Sequence, residues 1–196
     1  PAGPITVRFE TDDAGEGLVW MRQNAPVFLK QFTSEELGPV LSLPDTAFDK
    51  RFPIEEVSTG LPFIIVPLLT RDAVRAARID RDAYFSLIDG ITAKAVYIFW
   101  SEPCHTQNTI HARMFGDYYG VPEDPATGSA AGCLAAYLIK NNYFSPHPRE
   151  IRIEQGYEIH RPSLLLCRAE YVGGNIGVDV GGKVVSVAKG ELFREE

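Results

Sequence analysis

The sequence predicts an α+β fold, a curved β-sheet or barrel wrapped round one apolar helix. Three observations carry this. Most of the chain reads as strands. Helical patterns are few. One of them, "SAAGCLAAYLIK" (129–140), has no charge from Ala130 to Ile139 and therefore no polar face. A helix that is apolar all round has to be buried all round. It is too short for a bilayer, which takes about 20 residues. Ala130, Ala131, Gly132, Ala135 and Ala136 keep it thin, so that strands can approach closely. Gly132 costs roughly 1 kcal/mol of helix propensity against alanine, which points to a packing role.

The elements follow in order. "ITVRFET" (5–11) alternates Ile5, Val7 and Phe9 with Thr6, Arg8 and Glu10, the period of a half-buried strand. After the Asp/Gly-rich "DDAGEG", "LVWMRQ" completes a hairpin over 5–23. Thr33 and Glu36 form a capping box for a short helix that Gly38-Pro39 interrupts early. "LPFIIVPLL" (61–69) is an apolar run of strand length. Its prolines predict an edge or bounded strand. Residues 71–89 carry helical spacing. "AKAVYIFW" (93–100), "TIHARMFG" (109–116), "REIRIEQ" (149–155), "SLLLCRAEYV" (163–172), "NIGVDV" (175–180) and "KVVSVAKGELF" (183–193) read as strands. The last two flank Gly181-Gly182, a two-residue hairpin turn on this reading.

With 196 residues, 45% of them hydrophobic, the chain can bury a core in one or two domains. A net charge of −7 argues against gripping nucleic acid or anionic membrane by electrostatics. No run approaches a membrane span. Cys104, Cys133 and Cys167 are odd in number and widely spaced, so neither a disulfide framework nor a zinc spacing is expected. A reducing cytoplasm is the expected location. The chain begins Pro1-Ala2-Gly3 without an initiator methionine, the mark of a processed chain or of a piece of something longer.

The N-terminus of the apolar helix is where chemistry is expected. Its first turn offers free N–H groups and the positive end of the helix dipole. Thr127, Gly128 and Ser129 set a glycine between two hydroxyls there, a turn suited to a carboxylate. Glycine at 128 suits close approach of an anion or a positive φ. Asp124 lies just before, with Pro125 stiffening the link. The plain alternative is an ordinary N-cap. Cys133 reads as a packing residue, and His111, beside Arg113 and Phe115 on one strand face, as structural. His105, His147 and His160 show no metal-ligand spacing.

"EDPATGSAAGCLAAYL" resembles the signature of the PhzF family, the phenazine-biosynthesis-like isomerases. "EVSTGLPFIIVPL" is similar to that family's V-S-T-G-L-P strand. "ARMFGDYYGVPEDPATGSA" resembles its approach to the signature through Arg113, Phe115 and Gly120. "EQGYEIHRPS" resembles its Q-G-x-x-x-x-R-P-S segment through Gln155, Gly156, Arg161, Pro162 and Ser163. The match runs from about Val7 to the C-terminus.

The resemblance implies a diaminopimelate epimerase-like fold of two related lobes, each a curved sheet round a helix, with the active site between them. Residues 27–173 correspond to a complete second lobe with its central helix at about 129–140. Residues 1–26, a hairpin, and 174–196, a returning hairpin, correspond to a partial first lobe. The implied chemistry is a cofactor-free acid–base proton shift on a small carboxylate-bearing substrate. A first-lobe glutamate would be the base and Asp124 and Ser129 would face it. The amides at Thr127 to Ser129, Gly128 among them, would hold the substrate carboxylate. Gly60 lines the cleft or makes a plain turn. Arg161 binds the carboxylate or, the reading favoured here, pairs with an acid such as Asp124. The family's D-x-F-T…G-N-P segment, which bears the glutamate, and its G-H-P turn are not in this sequence. The chain alone is therefore expected to be inactive, its missing first-lobe segment cleaved, left out or carried on another chain. A homodimer is the other partner considered; no metal, nucleic acid or membrane is expected. The rival reading is a non-catalytic small-molecule-binding or interaction module.

Overall fold

The computed structural model describes residues 4–11, 15–185, 187–191 and 193. Its strands are β1 (Val7–Thr11), β2 (Gly17–Arg22), β3 (Val27–Phe32), β4 (Ile54–Ser58), β5 (Pro62–Pro67), β6 (Ala95–Trp100), β7 (Ile110–Gly116), β8 (Val121–Asp124), β9 (Ile151–Gln155), β10 (Ser163–Val172) and β11 (Asn175–Lys183). The helices are α1 (Ser34–Leu41), α2 (Arg71–Ala76), α3 (Arg81–Ile88) and α4 (Gly128–Lys140). The strands form one mixed, open sheet in the order β1-β2-β11-β10-β9-β7-β6-β5-β4-β3, with β8 paired to β7. The barrel option is not realised.

The sheet curls because α4 packs on both of its arms, against β4 and β5 and against β10 and β11. Ala130 to Ile139 are all buried, as an uncharged helix requires. Gly132 has the expected packing reason: a Cβ there would lie 3.1 Å from Gln23 Cγ and 3.2 Å from Val180 Cγ2. The outer face of the sheet carries α1, α2 and α3. In β5, Phe63 and Ile65 face the α4 core while Ile64 and Val66 face the outer helices. With both faces covered, the strand reads as a continuous apolar run. It pairs with β4 and β6 and so lies inside the sheet. Its prolines bound it but do not place it at an edge.

Several expectations are corrected. The helical pattern at 71–89 is two helices, capped by Thr70 and Asp80. Between them the amides of Arg78 and Asp80 turn to Leu41 O and Val40 O, both at 3.0 Å. Buried Arg113 takes the carbonyls of Val74 and Ala77 with Nη1, at 2.7 and 3.0 Å. Helix α1 has the expected capping box but runs through Gly38-Pro39 to Leu41. The burial of Leu37, Gly38, Val40 and Leu41 holds the turn that Pro39 weakens. Gly181 and Gly182 lie inside β11, paired to Trp20 and Val19. The hairpin turn is at Gly173-Gly174, where φ is +57° and +84°. At 181 the glycine is needed for space, since a Cβ would sit 2.6 Å from the Trp20 ring. Beyond Lys183 the described residues form no strand; Ser186 and Leu192 of the expected strand lie outside the described residues, as do 194–196 after it and Asp12 to Ala14 of the first turn. Short β3, β4 and β8 carry too little alternation to be read from the sequence.

Candidate functional site

Helix α4 begins without the side-chain cap that "DPATGS" suggests. Thr127 is the N-cap residue, yet its hydroxyl accepts no first-turn N–H. It donates instead to Asp124 Oδ2 at 2.5 Å. Ala131 N bonds Thr127 O at 3.0 Å. The N–H groups of Gly128, Ser129 and Ala130 then have no acceptor within the helix. They form a partial positive pole beside a carboxylate. Asp124, Gly128 and Ser129 are half-buried and Ala126 is exposed, so solvent reaches this pole.

The turn is held from behind by Gln155, a residue to which the sequence assigned no role. Its Nε2 donates to Asp124 O at 2.7 Å and to Thr127 Oγ1 at 2.9 Å. Its Oε1 accepts from Thr127 N at 3.3 Å and from the Tyr97 hydroxyl at 3.0 Å. Gln155 and Tyr97 are both fully buried, so these four bonds fix the geometry in a dry setting. Gly156 follows with φ +83°; a Cβ there would lie 2.3 Å from Arg161 O and 2.9 Å from Pro125 O. The glycine lets the strand end close on the Pro125 link. The Q-G pair was the available signal, as a polar side chain and a glycine ending a buried strand.

Gly60 comes to the same end of α4. Its neighbour Thr59 places Oγ1 3.6 Å from Cys133 Sγ, and Cys133 Sγ is 3.6 Å from Leu61 O. Gly60 is exposed with φ +142°, a backbone state that favours glycine, and Asn24 is its neighbour. The loop after β2 thus supplies Gln23 beside Gly132 and Asn24 beside Gly60. Cys133 is fully buried, and burial pushes its thiol up to about 11, in keeping with packing. Gly128 differs from Gly60, Gly132 and Gly156: φ is not in the left-handed region, and a Cβ would meet only Val180 Cγ1 at 3.6 Å, an ordinary contact. Neither strain nor crowding within the chain demands glycine there.

The expected pairing of Arg161 with Asp124 is not formed. The Arg161 side chain is exposed, and its N–H bonds Gly156 O at 2.9 Å. The tight turn from Gly156 needs the backbone of Arg161, and Asp124 is already taken by Thr127. Asp124, Thr127, Gly128 and Ser129 come together at the start of α4; Gly60 touches Asn24, its neighbours Thr59 and Leu61 reach Cys133 one turn further on, and Arg161 reaches the turn through its backbone. His111 lies on the opposite face of the sheet, with Arg113 and Phe115.

A family model described as phenazine biosynthesis-like protein, PhzC-PhzF, matches residues 1–190. Trans-2,3-dihydro-3-hydroxyanthranilate isomerase of Pseudomonas aeruginosa is 33% identical over 192 residues, 97% of this chain and 64% of that protein. Uncharacterized isomerase YfhB of Bacillus subtilis is 30% identical over 187 residues, 94% of this chain and 62% of that protein. A Bacillus anthracis phenazine biosynthesis protein of the PhzF family is similar in structure, with a TM-score of 0.82 at 28% identity over 91% of this chain and 62% of that one. The chain thus spans under two thirds of the length of these relatives.

Proposed function

The chain belongs to the phenazine biosynthesis-like protein family, and from that premise we propose that it supplies one wall of a PhzF-type isomerase site. The reaction is a cofactor-free proton shift on a small carboxylate-bearing substrate, of the class named for the Pseudomonas aeruginosa relative. The observation that carries this reading is the uncapped start of α4, where the Thr127 hydroxyl is turned to Asp124 and caps no first-turn N–H group. Those groups, at Gly128, Ser129 and Ala130, anchor the substrate carboxylate, while Thr127, whose N–H and hydroxyl are donated to Gln155 and Asp124, sets the turn instead of binding the carboxylate directly. Gly128 is a glycine because the anion approaches the backbone there. Asp124 holds or relays the migrating proton, with Ser129 beside it. Gly60 closes the side of the pole, and the Arg161 side chain is available for the substrate.

The base is a glutamate outside this chain, and the other cleft wall comes with it on the missing first-lobe segment. The site works in the reducing cytoplasm, and a homodimer is compatible with it. The isolated chain is expected to show no turnover.

The test uses the protein with both lobes present. Proton exchange on trans-2,3-dihydro-3-hydroxyanthranilate is followed by NMR in deuterated water. Asp124→Asn is expected to abolish exchange while keeping the fold. Gly128→Ala should raise stability by about 0.4–1 kcal/mol, and Gly128→Val should abolish carboxylate binding. Full turnover in Asp124→Asn together with unchanged affinity in Gly128→Val reduces the motif to a helix start and favours the binding-module reading.

A further inference from the structure

The outer face of the sheet carries a second constellation, behind the site just described. In β9, Gln155 reaches the α4 turn, while Glu154 next to it reaches the opposite face. There Glu154 meets His111 of β7 and Cys104 of the loop after β6. His111 Nδ1 lies 3.4 Å from Glu154 Oε2 and 3.7 Å from Cys104 Sγ. All three ligand atoms lie within 4.8 Å of one another. Ligand atoms bound tetrahedrally to one zinc ion are roughly 3.3–3.8 Å apart. Two edges already meet that spacing. The third, sulfur to carboxylate, closes by movement of Cys104, which is half-exposed on a loop.

We propose that Cys104, His111 and Glu154 form a zinc site on the outer face of the sheet. The donor set is a thiolate, an imidazole and a carboxylate, which suits zinc better than magnesium or calcium. The surrounding shell has the form such sites need. His111 Nε2 is 3.0 Å from Glu158 Oε1, so a carboxylate orients the imidazole and fixes Nδ1 towards the metal. Glu154 is held by the amides of Cys104 and His105, at 2.6 and 2.8 Å, and by Asn108 Nδ2 at 2.7 Å. Arg71 Nη2 donates to Cys104 Sγ at 2.9 Å, a hydrogen bond that offsets thiolate charge. His111 and Glu154 are buried, whereas Cys104 borders a cavity of about 370 Å³ shared with Arg71, Arg75 and Arg78. The fourth position opens into that cavity, where it takes water or a small anion. The spacing in sequence, 104, 111 and 154, matches no zinc motif, which is why the residues were not read as ligands.

The test adds Co(II), then Zn(II), to the metal-stripped chain. Cobalt is expected to give a thiolate charge-transfer absorption in the near ultraviolet, which zinc removes by competition. Cys104→Ser should abolish that absorption, and Glu158→Gln should weaken zinc binding about 10–100-fold. His105→Ala, an exposed neighbour, should leave binding unchanged. In the unmodified chain, zinc should protect Cys104 from iodoacetamide, read by mass spectrometry, which serves if Cys104→Ser fails to fold. No cobalt–thiolate absorption, absorption that survives Cys104→Ser, loss of binding in His105→Ala, or equal alkylation with and without zinc overturns the proposal.

Discussion

Gln155 concentrates more of the site's geometry than any residue in the motif it serves. It satisfies a backbone carbonyl, a backbone amide and two hydroxyls, in the buried interior. Replacement by leucine keeps the volume and strands those partners. Leaving several buried polar groups unpaired costs about 2–4 kcal/mol. Urea unfolding of Gln155→Leu should show that loss with an unchanged slope. Cys133 gives a reactivity prediction. Burial is the main cause that raises its thiol to about 11, so at pH 8 it stays protonated. The Thr59 hydrogen bond opposes burial without cancelling it. In the folded chain Cys133 should remain unalkylated by iodoacetamide at pH 8, while half-exposed Cys104 reacts. Equal labelling of the two would show that the second turn of α4 is open.

At the scale of elements, Arg113 explains why one helical pattern became two helices. Its Nε and Nη2 make a bidentate pair with Glu123, at 2.9 and 2.8 Å, and its Nη1 ends α2 by taking the carbonyls of Val74 and Ala77. The guanidinium is buried, so each partner depends on it. Arg113→Met fills similar space and removes the charge. Glu123 is then left without its cation and two carbonyls without a donor, a loss of about 3–5 kcal/mol. Thermal melting should register this, and amide exchange should speed up across α2. A melting temperature within a degree of the parent's would mean that α2 ends for local reasons.

For the whole molecule the relevant feature is the open sheet. Its ends are β1 and β3, and apolar side chains stand exposed on them, with Phe9 81% exposed and Val27 52% exposed. Ile5, Val7, Leu29, Val184 and Val187 are exposed as well. An unpaired edge with apolar residues is a template for association. The isolated chain is expected to self-associate with rising concentration in sedimentation velocity, and Phe9→Lys should shift it towards monomer. Identical sedimentation of the two across the concentration series would remove β1 as the contact. Among the described residues no helix is long and apolar enough to cross a membrane.

Local sequence was enough to place the buried helix and the strand-rich architecture, and it singled out the D-P-A-T-G-S turn at the start of that helix. An uncharged run from Ala130 to Ile139 admits no exposed face. The capping box at Thr33 and Glu36 and the first hairpin are local in the same sense. Tertiary structure decided what depends on distant partners. Whether 71–89 was one helix or two turned on Arg113, far along the chain in β7. Which glycine pair made the turn of the last hairpin depended on Trp20, whose ring occupies the space beside Gly181. Gln155 became the clamp, and Arg161 lost its expected partner, because β9 lies where it touches the α4 turn. Cys104, His111 and Glu154 met only because β9 pairs in parallel with β7. Sequence periodicity records which face a residue presents, whereas the partner across that face is set by sheet order, and no local pattern encodes it.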